Sequence, residues 1–416
     1  MSGNAPTATG VSHVYPIGSR LNELGRLEVG GCDVVELAEQ FGTPAYVYAE
    51  DDIRARAREY MDAFRARTGH FEVVYASKAF PCTAAHRLLV EEGLSCDVAS
   101  GGELFLALKG GFPPDRIYMH GNNKSEAEIE DAVEKGVGHI VVDSFDELDR
   151  LERVAPGQKV LLRVTPGIKP ETHDFIATGQ EDSKFGFGVD DVPRAIERID
   201  RLDLRGLHAH IGSQVFDLGP YEKLAEVLSS MGDYPLLNLG GGLGVAYTAD
   251  QTPLAVDDYV EALLRGAPDD VTVLCEPGRS LVANAGVTIY RVGTVKRIPG
   301  VRTYVAVDGG MSDNLRPMLY GARYEAEIAD RFGGSDMCTV AGKHCESGDI
   351  LVTDVRLDDP RPGDVLVTPA TGAYGHAMAN NYNAIPRPPV IFCSGGDARV
   401  VVRRETYDDL AARDEL

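Results

Sequence analysis

Short apolar runs alternate with amphipathic segments through the middle of the chain. Apolar residues recur at helical spacing after Asp51-Asp52, which predicts a capped helix that runs to about Arg67. The strand-like runs that follow are 72–76, 94–98, 116–119, 139–143, 159–164, 205–211, 236–239 and 271–275. The helix-like segments between them are 82–92, 102–109, 125–135, 145–153, 190–199, 220–231 and 256–265. Eight successive β-then-α units predict a (β/α)8 TIM-type barrel.

The pattern changes near residue 286. Strand-like runs at 287–292, 301–307, 350–352, 365–367, 390–392 and 399–402 are separated by turns rich in Gly, Pro and Asp. Few helical segments interrupt them, which indicates a second, mainly antiparallel β domain of the sandwich or barrel kind. A short strand at Tyr46–Tyr48 is assigned to it. The predicted domains are therefore a barrel at 51–285 and a β domain formed by 1–50 and 286–416.

Composition narrows the possible functions. A chain of 416 residues is too long for one ordinary core, and its 41 Lys plus Arg against 64 Asp plus Glu give a net charge of −23. Such a surface should repel nucleic acids and anionic membranes. The start of the chain lacks the basic and apolar segments of a signal peptide, so we expect a cytoplasmic protein. Seven scattered cysteines without a C-x-x-C pair indicate neither a zinc site nor a redox dithiol, and we expect no metal.

The ends of the predicted strands carry the candidate chemistry, because barrel enzymes build their sites there. Strand one ends at Lys78, strand six reaches His210, strand seven ends in Gly240–Gly242, and strand eight ends at Glu276 with Arg279 close behind. Each feature alone has an ordinary explanation, such as a solvated lysine or a glycine turn. Together, an amine, an imidazole, an anion-binding loop and a carboxylate suit one cofactor, pyridoxal 5′-phosphate (PLP).

Seven motifs extend this pattern. They are Y-A-S-K-A, H-I-G-S-Q, G-G-G-L-G, C-E-P-G-R, D-N-L-R-P-M-L-Y, G-K-H-C-E-S-G-D and G-A-Y. With them, the chain resembles the diaminopimelate decarboxylases, fold-type III PLP enzymes related to ornithine and arginine decarboxylases and, more distantly, to alanine racemase. The resemblance spans roughly residues 15 to 410. It implies the same architecture of a barrel and a β domain.

The resemblance implies roles at the matching positions. Lys78 would carry the cofactor aldehyde, His210 would stack on the ring, Glu276 would face the ring nitrogen, and Cys345 would donate a proton. The residues expected to bind PLP are Lys78, Asp97, Arg163, His210, Ser213, Gly240, Gly241, Gly242, Glu276, Pro277, Gly278, Arg279 and Tyr374, of which Asp97 and Arg163 enter by their positions at strand ends. Those implied to bind substrate are Arg279, Arg316, Tyr320, Glu346 and Tyr374. In this family Cys345 and Glu346 enter the site from the partner subunit, which implies a homodimer with shared active sites.

Charge distinguishes the candidate reactions. A carboxylate such as Glu276 keeps the ring nitrogen protonated and so favours decarboxylation, whereas alanine racemase has an arginine there. Ornithine decarboxylases have a C-D-G arrangement where this chain has Cys345-Glu346-Ser347. Diaminopimelate has both a carboxylate and an ammonium at its distal end, and Arg316 and Arg279 with Glu346 match that pair.

The leading hypothesis is the decarboxylation of meso-2,6-diaminopimelate to L-lysine and CO2, the last step of lysine biosynthesis. A second hypothesis keeps the chemistry but assigns a related or carrier-bound amino acid from a specialised pathway. A third, a catalytically silent binding or regulatory relative, is disfavoured by the presence of Lys78, Glu276, Cys345 and Glu346. Whether the loop Thr172–Phe187 closes over the site stays open.

Overall fold

A computed structural model describes residues 10–168 and 183–415, which form two compact units. The β unit contains the residues up to Ile53, Val245–Thr252 and the residues from Leu281 onward. The barrel unit contains Arg54–Gly244 and Pro253–Ser280. Most of the loop Thr172–Phe187, considered above as a cover, lies outside the described residues.

The first elements of the chain are short and belong to the β unit. They are β1 (Arg20–Leu21), β2 (Leu27–Val29), β3 (Cys32–Asp33), α1 (Val34–Phe41) and β4 (Ala45–Ala49). Strands β1 to β3 form a small antiparallel sheet. Helix α1 begins where the carboxylate of Asp33 accepts hydrogen bonds from the N–H groups of Val35 and Glu36, an N-cap of the usual kind.

Eight parallel strands close into the predicted barrel. In chain order the strands of this unit are β5 (Phe71–Ala76), β6 (Ser95–Val98), β7 (Ile117–Met119), β8 (His139–Val142), β9 (Lys159–Thr165), the two-residue β10 (Phe187–Gly188), β11 (Asp203–His208), β12 (Leu236–Asn238) and β13 (Thr272–Cys275). The ring runs from β5 through β6, β7, β8, β9, β11 and β12 to β13, which pairs with β5 again. The fold prediction is confirmed, and each predicted barrel strand overlaps an observed one.

The first helix of this part of the chain precedes β5, and each of the others follows a barrel strand. They are α2 (Glu50–Arg65), α3 (Thr83–Glu91), α4 (Gly101–Gly110), α5 (Glu126–Glu134), α6 (Phe145–Val154), α7 (Val192–Glu197), α8 (Gly219–Ser229), α9 (Val256–Arg265) and α10 (Arg279–Val282). Ser100, Ser125 and Ser144 cap α4, α5 and α6 by accepting from the N–H three residues later. These serines explain why each helix begins soon after its strand, which keeps the strand ends close to short loops.

Buried side chains from five strands fill the barrel. Val74, Tyr118, Val141, Leu161 and Leu274 form one apolar cluster. The barrel is therefore a packed core, and polar chemistry is left to the residues at its strand ends.

The rest of the β unit is a nine-stranded mixed sheet. Its further elements are β14 (Gly286–Ile298), β15 (Arg302–Val307), α11 (Arg316–Tyr320), β16 (Glu327–Ile328), β17 (Asp336–Ala341), β18 (Ile350–Leu357), β19 (Val365–Thr368), β20 (Val390–Ser394), β21 (Asp397–Val402) and α12 (Tyr407–Ala411). The strand order is β18-β17-β15-β14-β4-β20-β21, with β19 beside β14 and β16 beside β19. Only the β15–β17 and β4–β20 pairs of this sheet are parallel. The prediction of a mainly antiparallel sheet is confirmed, although β16 and β17 were missed. None of the described helices is long and apolar enough to cross a bilayer.

Candidate active site

Lys78 lies in a single 3-10 turn, Ser77–Ala79, directly after β5. The turn is fixed on both sides: Ser77 Oγ lies 3.0 Å from Nε2 of His86, and the Tyr75 hydroxyl donates to the carbonyl of Phe80 at 3.0 Å. The Lys78 side chain itself is exposed at the rim. The fold therefore holds its backbone rigidly while leaving the amine accessible.

Asp97 and His210 lie within the electrostatic reach of Lys78. Burial raises the pKa of Asp97, the negative charge of Glu276 raises it further, and Lys78 opposes both. Burial lowers the pKa of His210 well below its usual value, and the positive charges of Lys78 and Arg163 act in the same direction. The structure thus brings together the residues that the strand-end rule selected from five separate strands.

Glu276 follows β13 and is surrounded by polar groups from three other strand ends. Asn238 Nδ2 donates to Oε1 at 2.7 Å, His120 Nε2 lies 2.8 Å from the same oxygen, and His208 Nε2 lies 3.0 Å from Oε2. Burial alone would raise the pKa of Glu276, but His120 and His208 outweigh it and hold that pKa well below its usual value. Glu276 is therefore a stable buried carboxylate.

The glycine run after β12 is packed too closely for any side chain. A Cβ on Gly241 would lie 2.1 Å from the carbonyl oxygen of Glu276, and one on Gly242 would lie 2.2 Å from that of Gly212. The N–H of Gly240 donates to Oδ1 of Asn238 and that of Gly241 to Nδ1 of His210. The run does not open a helix, since α9 begins only at Val256. Two of its N–H groups therefore already serve to orient neighbouring side chains.

Ser213 and Arg279 form a polar pair beside this loop. The Arg279 guanidinium donates to Ser213 Oγ from Nη2 at 2.9 Å and from Nε at 3.2 Å. Pro277 and Gly278 connect Glu276 to Arg279, and the carbonyl of Pro277 accepts from the N–H of Ala76 at 3.1 Å. This bond fixes the end of strand eight against the residue two before Lys78.

Arg163 lies deeper in the same rim. Its Nη1 is 3.7 Å from Asp143 Oδ1, and its guanidinium lies 4.3 Å from the ring centroid of Phe185. The Asp143 carboxylate also accepts from the N–H of Gly186 at 3.0 Å. Arg163 therefore has a structural role in this part of the rim, through its contacts with Asp143 and Phe185.

In the β unit, Arg316 is buried among aromatic side chains. Its guanidinium lies 4.5 Å from the ring centroid of Tyr247 and 5.6 Å from that of Tyr324, and it donates to the Tyr324 hydroxyl. Tyr374, at φ 63°, also interacts with it electrostatically. Tyr320 ends α11, the helix that Arg316 begins, and is half-buried. Among the described residues, no carboxylate lies within salt-bridge distance of Arg316.

Cys345 and Glu346 lie exposed on a turn of the β unit, and the other six cysteines are buried. The preceding residue, His344, anchors the turn: its Nδ1 lies 2.7 Å from Asp349 Oδ2, and its N–H donates to the same oxygen at 2.9 Å. The N–H of Cys345 donates to Asn383 Oδ1 at 2.9 Å. The turn is therefore fixed at its backbone, while both side chains project outward.

Comparison with known proteins identifies the family. The model described as "Pyridoxal-dependent decarboxylase, pyridoxal binding domain" matches residues 50–283. The chain is 48% identical to the diaminopimelate decarboxylase of Bacillus subtilis over 95% of this chain and 97% of that protein. It also matches the crystal structure of the M. jannaschii diaminopimelate decarboxylase with L-lysine, at a TM-score of 0.90, 34% identity and coverage of 96% and 98%. The crystal structure of the Helicobacter pylori diaminopimelate decarboxylase with L-lysine matches at a TM-score of 0.85 and 33% identity. The match covers 91% of this chain and 98% of that one.

The chain belongs to the diaminopimelate decarboxylase family. This confirms the resemblance drawn from the motifs, and PLP is the cofactor of the matched domain. The barrel rim fits that group, because a lysine, a buried carboxylate and an arginine–serine pair surround a glycine loop whose close packing admits no side chains.

Three barrel residues that contact Glu276 were missed in the sequence. His120, His208 and Asn238 each lie at the carboxyl end of a strand, so the rule that selected Lys78 could have found them. In the β unit the tyrosines beside Arg316, Tyr247 and Tyr324, were missed too. Nothing in their sequence context tells which cation they contact.

Proposed function

We propose that this diaminopimelate decarboxylase family member is a PLP-dependent carboxy-lyase that converts meso-2,6-diaminopimelate to L-lysine and CO2, the last step of lysine biosynthesis. The observation that carries the proposal is 48% identity across nearly the whole chain to a diaminopimelate decarboxylase. We further propose that it acts in the cytoplasm, as predicted from the sequence.

The barrel residues would hold the cofactor. Lys78 would bind its aldehyde, His210 would stack on the ring, and Ser213 with Arg279 and the Gly240–Gly242 loop would receive the phosphate. Asp97, Arg163, Pro277, Gly278 and Tyr374 complete the proposed set of cofactor-binding residues. When bound, PLP accepts the electron pair left by the departing CO2. Glu276 favours this because a buried carboxylate stabilises a protonated ring nitrogen.

The burial of Arg316 supports the proposal that the substrate has a second carboxylate. A buried arginine without a described acidic partner is costly to maintain unless a ligand supplies the anion. The planar guanidinium suits a carboxylate, and Arg279, Tyr320 and Tyr374 are proposed to complete the substrate contacts. Glu346 would bind the distal ammonium, and Cys345 would return one proton to the α-carbon.

The same turn motivates a proposed homodimer with shared active sites. The Cys345 thiol and the Glu346 carboxylate are exposed in the single chain, while the His344–Asp349 pair fixes the backbone that carries them. A rigid turn that presents a thiol and a carboxylate outward is suited to completing the site of a second copy.

CO2 release from meso-diaminopimelate tests the reaction. We expect turnover on this substrate and little on L-lysine or ornithine, which lack the distal carboxylate. Lys78→Ala should abolish turnover and the yellow absorbance of the bound cofactor. A protein that binds PLP but releases no CO2 from meso-diaminopimelate would contradict the proposed reaction.

Mixing two inactive variants tests the shared site. Lys78→Ala and Cys345→Ala homodimers should each be inactive, whereas random subunit exchange should restore about a quarter of the wild-type activity, because half of the dimers then contain one intact site. The matched control replaces Cys345→Ala with the double variant Lys78→Ala/Cys345→Ala, which cannot complement. No recovery after proven exchange would mean that each chain supplies its own thiol.

A further inference from the structure

Glu276 is hydrogen-bonded to two side chains of its own chain, Asn238 and His208, and lies close to the imidazole of His120. Oε1 accepts from Asn238 Nδ2 at 2.7 Å and lies 2.8 Å from His120 Nε2, while Oε2 lies 3.0 Å from His208 Nε2. A carboxylate has about four acceptor positions, two on each oxygen. Asn238 donates to Oε1 and His208 bonds to Oε2, while His120 Nε2 lies close beside Oε1, so the open acceptor position belongs to Oε2.

The orientation of each donor is fixed. The Oδ1 of Asn238 accepts from the N–H of Gly240 at 3.0 Å, and since an N–H can only donate, the amide NH2 must face Glu276. The rings of His120 and His208 meet edge to face at 4.8 Å and 72°. All three residues are at most 8% exposed, so water does not compete for the carboxylate.

The two imidazoles beside Glu276 carry no charge at neutral pH. Burial lowers the pKa of His208 to about 4, and burial also lowers the pKa of His120. At neutral pH each ring is therefore neutral, and Nε2 of His208 donates to Oε2 of Glu276. A protonated ring here would cancel the charge of Glu276, whereas neutral donors stabilise the carboxylate and leave its full negative charge in place.

The same groups do not read as a metal site, although two histidines and a carboxylate are a common ligand set. Their ligand atoms lie within 4.8 Å of one another. Each imidazole nitrogen, however, is at hydrogen-bonding distance from a carboxylate oxygen. The Asn238 NH2, which can only donate, occupies the space beside Oε1 where a cation would have to bind.

We propose that His120, His208 and Asn238 are positioning residues that hold Glu276 ionised, orient it, and leave one acceptor on Oε2 for the ring N–H of the cofactor. This rests on the proposed function of Glu276. The three residues act only through that carboxylate, and their effect is to keep the ring nitrogen protonated.

The test is the 15N NMR signal of the ring nitrogen in holoenzyme loaded with PLP labelled at that atom. Asn238→Asp is the sharpest variant, because it retains an oxygen for the Gly240 N–H but replaces the donor to Glu276 with a second carboxylate oxygen. His208→Leu removes a donor, and His208→Gln restores a neutral one. We expect the 15N signal of a protonated PLP ring in wild type and in His208→Gln. In Asn238→Asp and His208→Leu the signal should shift toward that of the unprotonated ring, and kcat should fall roughly 10²-fold.

His139→Gln is the matched control. His139 is a buried imidazole on β8 whose ring stacks on Tyr118 at 4.6 Å, and burial lowers its pKa to about 4 as well. It should keep the wild-type 15N signal. Asn238→Asp and His208→Leu holoenzymes with the wild-type signal would overturn the proposal, even if their activity fell.

The wild-type holoenzyme provides a measurement that does not depend on a variant folding. Its ring nitrogen should stay protonated across the pH range in which the enzyme is stable, and an unprotonated ring there would equally overturn the proposal. A protonated ring in a protein that does not decarboxylate meso-diaminopimelate would instead reject the proposed substrate and leave this inference standing.

Discussion

Two buried charges, Glu276 in the barrel unit and Arg316 in the β unit, are held in opposite ways. Glu276 is 8% exposed, is hydrogen-bonded to Asn238 and His208, and has the His120 imidazole 2.8 Å from Oε1. Arg316 is 6% exposed and contacts the rings of Tyr247 and Tyr324, with no acidic partner among the described residues. Hydrogen-bonding partners within the chain stabilise the charge of Glu276 in the free protein. A buried cation such as Arg316, without an anionic partner in the described chain, is neutralised only when a ligand supplies the anion.

Glu276→Gln should have the largest effect. Glutamine keeps the shape of the side chain but removes its charge, and its amide NH2 meets donors where the carboxylate accepted. We expect kcat to fall roughly 10³-fold, the upper range for losing one preorganised electrostatic contact. Glu72→Gln is the control, since Glu72 accepts from the Tyr118 hydroxyl at 2.6 Å elsewhere in the barrel and should keep wild-type kcat. A Glu276→Gln enzyme with normal turnover would remove the carboxylate from the reaction.

Arg316→Met separates activity from stability. We expect kcat/KM for meso-diaminopimelate to fall several hundredfold, a loss of about 3–4 kcal/mol of transition-state stabilisation, because the distal carboxylate loses its buried partner. The free energy of unfolding should stay the same or rise, since an apolar side chain replaces a buried, unneutralised cation. Steady-state kinetics and urea unfolding measure both, with Arg297→Met as an exposed control on β14. A variant that loses stability in proportion to activity would contradict the contrast with Glu276.

The pH dependence of stability distinguishes the two regions further. The pKa of His208 is about 4 in the folded protein, against 6.5 ordinarily. Between these values the unfolded chain binds a proton that the folded chain does not, so stability is fully present above pH 6.5 and is lost as the pH falls toward 4. The shift corresponds to about 3 kcal/mol. The free energy of unfolding, measured with urea from pH 7 to 4.5, should therefore depend less steeply on pH in His208→Gln than in wild type. In Arg316→Met the pH dependence should parallel that of wild type, because neither arginine nor methionine titrates in this range. Parallel curves for all three proteins would mean that His208 is not held neutral.

The barrel was predictable because its signal is local. Each strand is a short apolar run, and serines such as Ser125 begin the next helix. The strand-end rule then placed Lys78, Asp97, His210 and Glu276 on one rim, and the structure brings them together. The contacts around Glu276 were not predictable in the same way. Which of the remaining strand-end polar residues contact it depends on the close approach of strands that are far apart in sequence, as with His120.

The β unit was less predictable than the barrel. Strand β17, Asp336–Ala341, begins with two exposed residues and pairs in parallel with β15. Its antiparallel partner β18 follows only after residues 342–349, so neither an apolar alternation nor a tight hairpin turn marks it. Residues 245–252 belong to the same unit although they lie between barrel strands in the sequence. Tyr247 lies in this segment. Its contact with Arg316 was not predictable because nothing in the local sequence shows that the segment belongs to the β unit.

Tyr324→Phe should have the smallest effect and tests whether the tyrosines orient Arg316 or merely surround it. The change removes the hydroxyl that accepts from Arg316 Nη1 and retains the ring whose centroid lies 5.6 Å from the guanidinium. One hydrogen bond contributes about 1 kcal/mol, so kcat/KM for meso-diaminopimelate should fall roughly fivefold, mainly through KM. The exposed Tyr407→Phe is the control. If the hydroxyl orients Arg316 toward the distal carboxylate, residual turnover of L-lysine, which lacks that carboxylate, should not change. An equal loss on both substrates would mean that Tyr324 supports the fold of this region and not the recognition of a second carboxylate.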